Sequence, residues 1–187
     1  MKRTDQVVTR DKERTRRAIL EAAEQMFSER GSKVSLADIA AAAGVTKGGL
    51  MHHFPNRDAL VYGAIEHGIV RVWEEVRAHI ELSENRPGKF TRGYVRALTG
   101  GSDYLMDIFN PGTLLATLGN SAEVEALYVR DAEKWDAAFA ADGLPWPRVL
   151  VIRSAAEGLA LSVASPYLSS NDLDLARAEL LALTEEH

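Results

Sequence analysis

The stretch Ser35-Leu-Ala-Asp-Ile-Ala-Ala-Ala-Ala-Gly-Val-Thr-Lys-Gly-Gly-Leu-Met-His-His53 reads as two short helices joined by a tight turn. Ser35 with Asp38 three residues later marks a helix start, since the two side chains can satisfy backbone N–H groups reciprocally. That helix runs to about Ala43, Gly44-Val45 makes the turn, and Thr46 caps a second helix ending near His53. Helices that cross closely need a small residue at the crossing, which Ala40 supplies. Ile39, Ala43, Val45 and Leu50 are placed to fix the angle. The second helix opens on Thr46-Lys47-Gly48-Gly49, a thin polar tip whose glycines let backbone approach another surface. These features suit a helix-turn-helix whose second helix enters the DNA major groove. They also suit an ordinary helical hairpin with a glycine turn.

Working outward, the remaining chain is almost wholly helical in pattern. Upstream, Ile19, Ala22, Ala23, Met26 and Phe27 form an amphipathic stripe over Thr15 to Arg30, which Gly31 ends. Downstream, Asn56 caps a long helix striped by Leu60, Ala64, Ile69, Trp73 and Val76. It is expected to fade near Glu84, before the breaker Asn85-Arg86-Pro87-Gly88. Phe90, Tyr94 and Leu98 follow at four-residue spacing. Short helices are expected at Asp103 to Phe109 and Thr113 to Leu118. A long one carries Val124, Leu127, Tyr128, Trp135 and Phe139 and ends at Asp142-Gly143. The last two carry Val149, Ile152, Ala156, Leu159, Ala160 and Val163, then Leu173, Ala176, Leu180 and Leu183, with Pro166 between them.

Charge is divided unevenly. The net value is -5, but residues 1–60 hold eleven Lys and Arg against eight Asp and Glu, while 61–187 hold eleven against nineteen. A basic head on an acidic body fits a nucleic-acid reader. With no cysteine, disulfides, thiolate zinc sites and thiol nucleophiles are excluded. No apolar run nears the eighteen or so residues of a membrane helix, and residues 1–17 lack the apolar core of a signal peptide. A cytoplasmic location is the expectation. An enzyme is not expected. Glu75 and His79 gain no further ligand for a metal site, His52-His53 lies in the turn-helix element, and neither a nucleophile elbow nor a phosphate loop is present. No cofactor is implied.

Three separated segments agree in type and spacing with one family. Arg17-Ala-Ile-Leu-Glu-Ala-Ala-Glu-Gln-Met-Phe27, Ser35-Leu-Ala-Asp-Ile-Ala40 and the run from Ala43 to Leu60 resemble the TetR family of transcriptional regulators over about residues 12–62. The resemblance implies an all-α fold of about nine helices. A three-helix helix-turn-helix DNA-binding domain comes first, and a helical ligand-binding and dimerisation domain follows. The expected division is a flexible basic arm over 1–11, the DNA-binding domain over 12–57 and the regulatory domain over 58–187.

Carried over by position, Thr46, Lys47 and Gly48 would lie at the tip of the recognition helix, with Lys47 donating to guanine O6 and N7 or to a phosphate. Ser35 and Thr46 would contact phosphates through hydroxyls or capped N–H groups. His52 stands where the family often has an aromatic phosphate contact, and Arg57 where a basic residue often meets phosphate. Phe54 would pack the recognition helix inward. Met51 and Gly49 depart from the tyrosine and threonine often found there, so the operator is not transferable from a relative. The basic residues of the N-terminal arm either track the backbone or minor groove, or form a solvated tail.

The same resemblance implies a small-molecule pocket among Trp73, Tyr94, Met106, Phe109, Tyr128 and Trp135, although aromatic residues at helical spacing also serve as plain core. Arg92, Arg96 and Arg130 are either anchors for an acidic ligand or surface residues. It further implies homodimerisation through the last two helices, assigned here to Ile152, Ala156, Leu159, Val163, Leu173, Leu180 and Leu183. These residues alternatively close the monomer's own core. The expected function is a repressor that binds a palindromic operator as a dimer and is released by a small-molecule effector. The competing reading is a helical dimeric adaptor or ligand-binding protein without sequence-specific DNA binding.

Overall fold

A computed structural model describes residues 2–100, 102, 104, 105, 121–163 and 165–185, and their side chains apart from 2–10 and 32. Among the described residues there are eight α-helices and no strand. They are α1 (Lys2–Arg30), α2 (Leu36–Ala42), α3 (Lys47–His53), α4 (Arg57–Ala78), α5 (Lys89–Thr99), α6 (Ala122–Ala140), α7 (Trp146–Ser162) and α8 (Ser170–Ala182). Of the helix expected at Asp103 to Phe109 only Tyr104 and Leu105 are described, both helical; the one expected at Thr113 to Leu118 lies outside the described residues.

The chain divides into two compact units, Met1–Gly68 with Gly112–Glu125 and Ile69–Pro111 with Ala126–His187. The first break, after Gly68, falls within α4. Leu60, Val61, Ala64 and Ile65 are buried early in it, and Val76 is buried late.

In the first unit, α2 and α3 both lie against α1. Ile19, Leu20, Ala23 and Phe27 of α1 are buried with Ile39, Ala40, Leu50, Phe54, Leu60 and Ala64. Each large apolar side chain hidden in this way is worth about 1.5–3 kcal/mol. Helix α1 begins at Lys2, well before Thr15, so the backbone of residues 2–11 is helical. The apolar stripe had marked where burial starts, whereas the helix continues back through a polar stretch without glycine or proline. Helix α4 passes so near Phe54 that a β-carbon at Gly63 would stand 2.8 Å from the ring.

In the second unit, α5 packs on α7 and α8. Every residue from Thr91 to Thr99 is buried except Arg96. The start of α5 lacks a capping side chain of its own, since Gly88 precedes it with φ 83°. Asp142, just past the end of α6, supplies the cap. Its carboxylate accepts from Phe90 N at 2.7 Å, Thr91 N at 2.8 Å and Thr91 Oγ1 at 2.7 Å. Helix α4 stops at Ala78, short of the expected Glu84, because the segment after it folds back onto α5. There Ile80 closes on Gly93, where a β-carbon would stand 2.6 Å from it, and Glu84 pairs with Arg92.

The expected dimer residues divide between the core and the surface. Ile152 and Ala156 are fully buried, Leu180 of α8 is nearly so, and all three belong to the core around Tyr94, Leu98 and Phe139. Leu159 packs half-buried against that core; Val163 and Leu173 are also half-buried, while Leu183 is exposed. Of the stripe assigned to an interface, Ile152, Ala156 and Leu180 close the monomer's own core. The outward faces are instead apolar at Leu150, Val151 and Leu161 on α7 and Leu175 on α8.

Candidate nucleic-acid interface

The turn between α2 and α3 closes through backbone bonds from Gly44 N to Ala41 O at 3.1 Å and Val45 N to Ala40 O at 2.9 Å. Gly44 has φ +68°, a conformation costly for any residue with a β-carbon. Both helix starts are capped. Ser35 Oγ accepts from Asp38 N at 3.2 Å, and its own hydrogen goes to Asp38 Oδ2 at 2.7 Å. The bond from Ser35 Oγ, and after it one that Ser35 N donates to Asp38 Oδ2 at 3.2 Å, hold the Asp38 carboxyl below its ordinary pKa. Thr46 Oγ1 accepts from Gly49 N at 3.0 Å. At the next element, Asn56 Oδ1 accepts from Ala59 N at 2.8 Å.

Capped in this way, α3 buries Leu50 completely and turns Lys47, Gly48, Met51 and His52 to solvent. Their spacing puts them on one face of the helix. Met51 keeps 39% of its surface exposed, high for an apolar side chain at the end of a packed element. His52 and His53 meet edge to face, with centroids 5.9 Å apart. His53 Nδ1 is buried without a hydrogen-bond partner among the described residues. Desolvation lowers its pKa first, and the positive charges of His52, Lys12 and Arg16 add to this. Those last two residues, part of the basic stretch read either as tracking the DNA backbone or minor groove or as a solvated tail, lie on the helical α1 near His53. Arg16 lies over the Phe54 ring at 5.0 Å. Both are exposed, whereas Arg14 and Arg17 are paired with Asp11 and Glu21. Their spacing, one helical turn apart just before the apolar stripe, was the signal that could have found them.

The structure separates Arg57 from the exposed face of α3. Its guanidinium donates to the carbonyl oxygen of Val34 and lies over the Phe27 ring at 5.1 Å. Arg57 thus ties the start of α4 to α1 and to the segment before α2. Ser35 is likewise occupied, its hydroxyl hydrogen being donated to Asp38.

The residues expected to line a pocket fall into three groups. Trp73 and Trp135 stack at 3.8 Å, with their indole N–H groups donating to the two oxygens of Asp131 at 2.8 and 3.0 Å. Tyr94 meets Trp135 and Phe139 edge-on and donates to Glu157 at 2.7 Å. These three aromatic residues form a packed, hydrogen-bonded cluster. Tyr128 differs: its hydroxyl is buried and has no hydrogen-bond partner among the described residues, and desolvation pushes its pKa up to about 12. Met106 and Phe109 lie outside the described residues. Asp131 was not anticipated, although it lies one turn before Trp135 on the same helix. Arg92, read as a possible ligand anchor, is buried and bound to Glu84 at 2.6 Å. Among the described residues no group of acidic, histidine or cysteine side chains could hold a metal. No described helix is long and apolar enough to cross a membrane.

Residues 19–62 match the profile of bacterial regulatory proteins of the tetR family, and residues 88–185 match the tetracyclin repressor-like C-terminal domain. The HTH-type transcriptional regulator TtgR of Pseudomonas putida is 47% identical over 53 residues, which are 28% of this chain and 25% of TtgR. The match therefore spans a quarter of that relative. Among solved structures, LfrR of Mycobacterium smegmatis in complex with proflavine superposes with a TM-score of 0.58 at 20% identity, covering 93% of this chain and 99% of that one. A TetR family regulator from Marinobacter aquaeolei VT8 reaches 0.65 at 16% identity, covering 96% and 99%. These structures share the fold.

Proposed function

Because this chain belongs to the tetR family of bacterial regulatory proteins, we propose that it represses transcription by binding a palindromic DNA operator as a dimer. The observation that carries the proposal is the exposed face of α3, where Lys47, Gly48, Met51 and His52 stand outward over a wholly buried Leu50. Lys47 reads a base edge, through donors that match guanine O6 and N7. Met51 offers apolar contact only. Thr46 uses its oxygen as the cap and keeps its hydroxyl hydrogen for a phosphate. Lys12, Arg16 and His52 supply the surrounding backbone contacts. Ser35 and Arg57 act indirectly, by holding α2 and α4 in place. Selection of bound sequences from random duplex DNA tests the proposal. An enriched palindrome with half-sites about one helical turn apart is expected. Recovery of no enriched motif would leave the adaptor reading in its place.

A small-molecule effector releases the operator in this reading. LfrR is a relative in fold whose structure holds proflavine, which makes that dye the first compound to try. The effector enters beside Tyr128, whose buried hydroxyl lacks a partner, not between two indoles already stacked at 3.8 Å. Ligand and operator must then weaken each other by the same factor. Titrations by tryptophan fluorescence, with and without operator, measure both.

A further inference from the structure

His53, the last residue of α3, stands among like charges. Its Nδ1 is buried without a hydrogen-bond partner among the described residues, and its ring meets that of His52 at 5.9 Å. Lys12 and Arg16 act on it from α1, where the Phe54 ring lies under the Arg16 guanidinium at 5.0 Å. Among the described residues, the charges that act on His53 are all positive, that of His52 when it is protonated included. The acidic side chains of this part of α1 lie elsewhere: Asp11 is engaged by Arg14, Glu21 by Arg17, and Glu13 is exposed. Helix α2, which also packs on α3, carries one charged side chain, Asp38, and Ser35 holds it. A proton on the His53 ring is thus disfavoured twice, by partial removal from water and by its neighbours. Together these hold His53 below the ordinary histidine pKa, desolvation first, so the free head leaves it uncharged at neutral pH.

We propose that operator binding is coupled to proton uptake at His52 and His53, so that the head holds DNA more tightly as the pH falls from about 8 to about 6. The proposal rests on the DNA reading given above. Lys12, Arg16 and His52 are exposed, and a DNA strand brings one phosphate charge about every 3.4 Å. Those charges supply what the cluster lacks. They offset Lys12 and Arg16, and they accept an N–H from a protonated imidazole. An anion brought close raises the proton affinity of a histidine, and by linkage the proton raises the affinity for the anion by the same factor. The sign follows. The added affinity is complete below the pKa of the free protein and is lost as pH rises through the pKa in the complex. His67, the other histidine described in this unit, already has a carboxylate beside it, Glu24 at 2.7 Å.

Operator affinity of the full chain at about pH 6, 7 and 8, at one ionic strength, tests the proposal. His52→Asn, His53→Asn and the double variant are measured beside the wild type. The wild type is expected to bind about tenfold more tightly per half-site at the lowest pH than at the highest, the change that one pKa unit of coupling produces. The double variant should bind more weakly and lose this dependence. Titration calorimetry of the wild type in buffers of different ionisation enthalpy counts the protons without any substitution, and net uptake is expected at about pH 6.5. Affinity that stays flat across the range, zero uptake, or a pH dependence that the double variant retains overturns the proposal. In each of those cases a selected operator is still bound, and the DNA reading stands. If the wild-type protein selects no DNA sequence, both fall.

Discussion

Lys47 and Arg57 carry the same charge and would look alike on a list of basic residues, yet their surroundings set them to different tasks. Lys47 is exposed at the first turn of α3, and in the proposed DNA complex its long cationic side chain reaches the groove floor. Lys47→Ala is expected to cost about 1–3 kcal/mol per half-site and to relax preference at one base pair, with no change in melting temperature. Unchanged affinity for a selected operator would remove α3 from the reading head. Arg57 points inward, to the buried Val34 carbonyl and the Phe27 ring. Arg57→Ala should destabilise the fold by about 1–3 kcal/mol, through an unsatisfied acceptor and a lost cation–π contact. Thermal melting checks this, and a variant as stable as the wild type would return Arg57 to the phosphate-binding set.

Helix α5 shows how two arginines can depend on one carboxylate, that of Glu84. Arg92 is buried; its Nε donates to Glu84 at 2.6 Å, and a terminal nitrogen donates to Pro87 O at 2.9 Å and Thr184 Oγ1 at 3.3 Å. Arg96 donates to the other oxygen of Glu84 at 2.8 Å. Burial alone would raise the Glu84 pKa, but hydrogen bonds from Arg96 and Arg92 outweigh it and hold the carboxyl below its ordinary 4.5. A carboxyl depressed in the folded state stabilises fully above its unfolded pKa, and that stabilisation is lost as pH falls through the folded value. Glu84→Gln strands a buried charge, so it should cost about 3–5 kcal/mol near neutral pH. The deficit should shrink below pH 4.5, where the wild type also loses the pair. Urea unfolding at the two pH values measures this, and a constant deficit would argue against the pairing.

For the whole molecule, the decisive surface is the one α7 and α8 leave open. Val151 and Leu175 are 60% and 63% exposed, and Leu161 is 47% exposed. A second copy of the chain is the occupant that a palindromic operator requires, because two-fold DNA symmetry calls for a two-fold protein. Val151→Glu combined with Leu175→Glu is expected to give a folded monomer in sedimentation. Ile152→Glu should unfold the chain, since that residue is fully buried within the monomer. A dimer that survives the double substitution would place the interface elsewhere.

The features legible from sequence are those whose causes act within about one helical turn. The caps at Ser35, Thr46 and Asn56 and the turn at Gly44 each need only a side chain and a backbone group a few residues apart. The helical class and the exposed face of α3 follow from the same short spacing. Other features depend on groups far apart in the chain. Arg57 finds Val34 across 23 residues, Trp73 finds Asp131 across 58, and Arg92 finds Thr184 across 92. Helix α7 has apolar residues on two faces, and its pattern alone does not say which face turns inward. Packing against α5 buried Ile152 and Ala156 and left Val151 and Leu161 outside. An apolar stripe states that burial is favourable; only the tertiary structure decides what covers it, because burial is non-directional and is satisfied by whichever surface arrives.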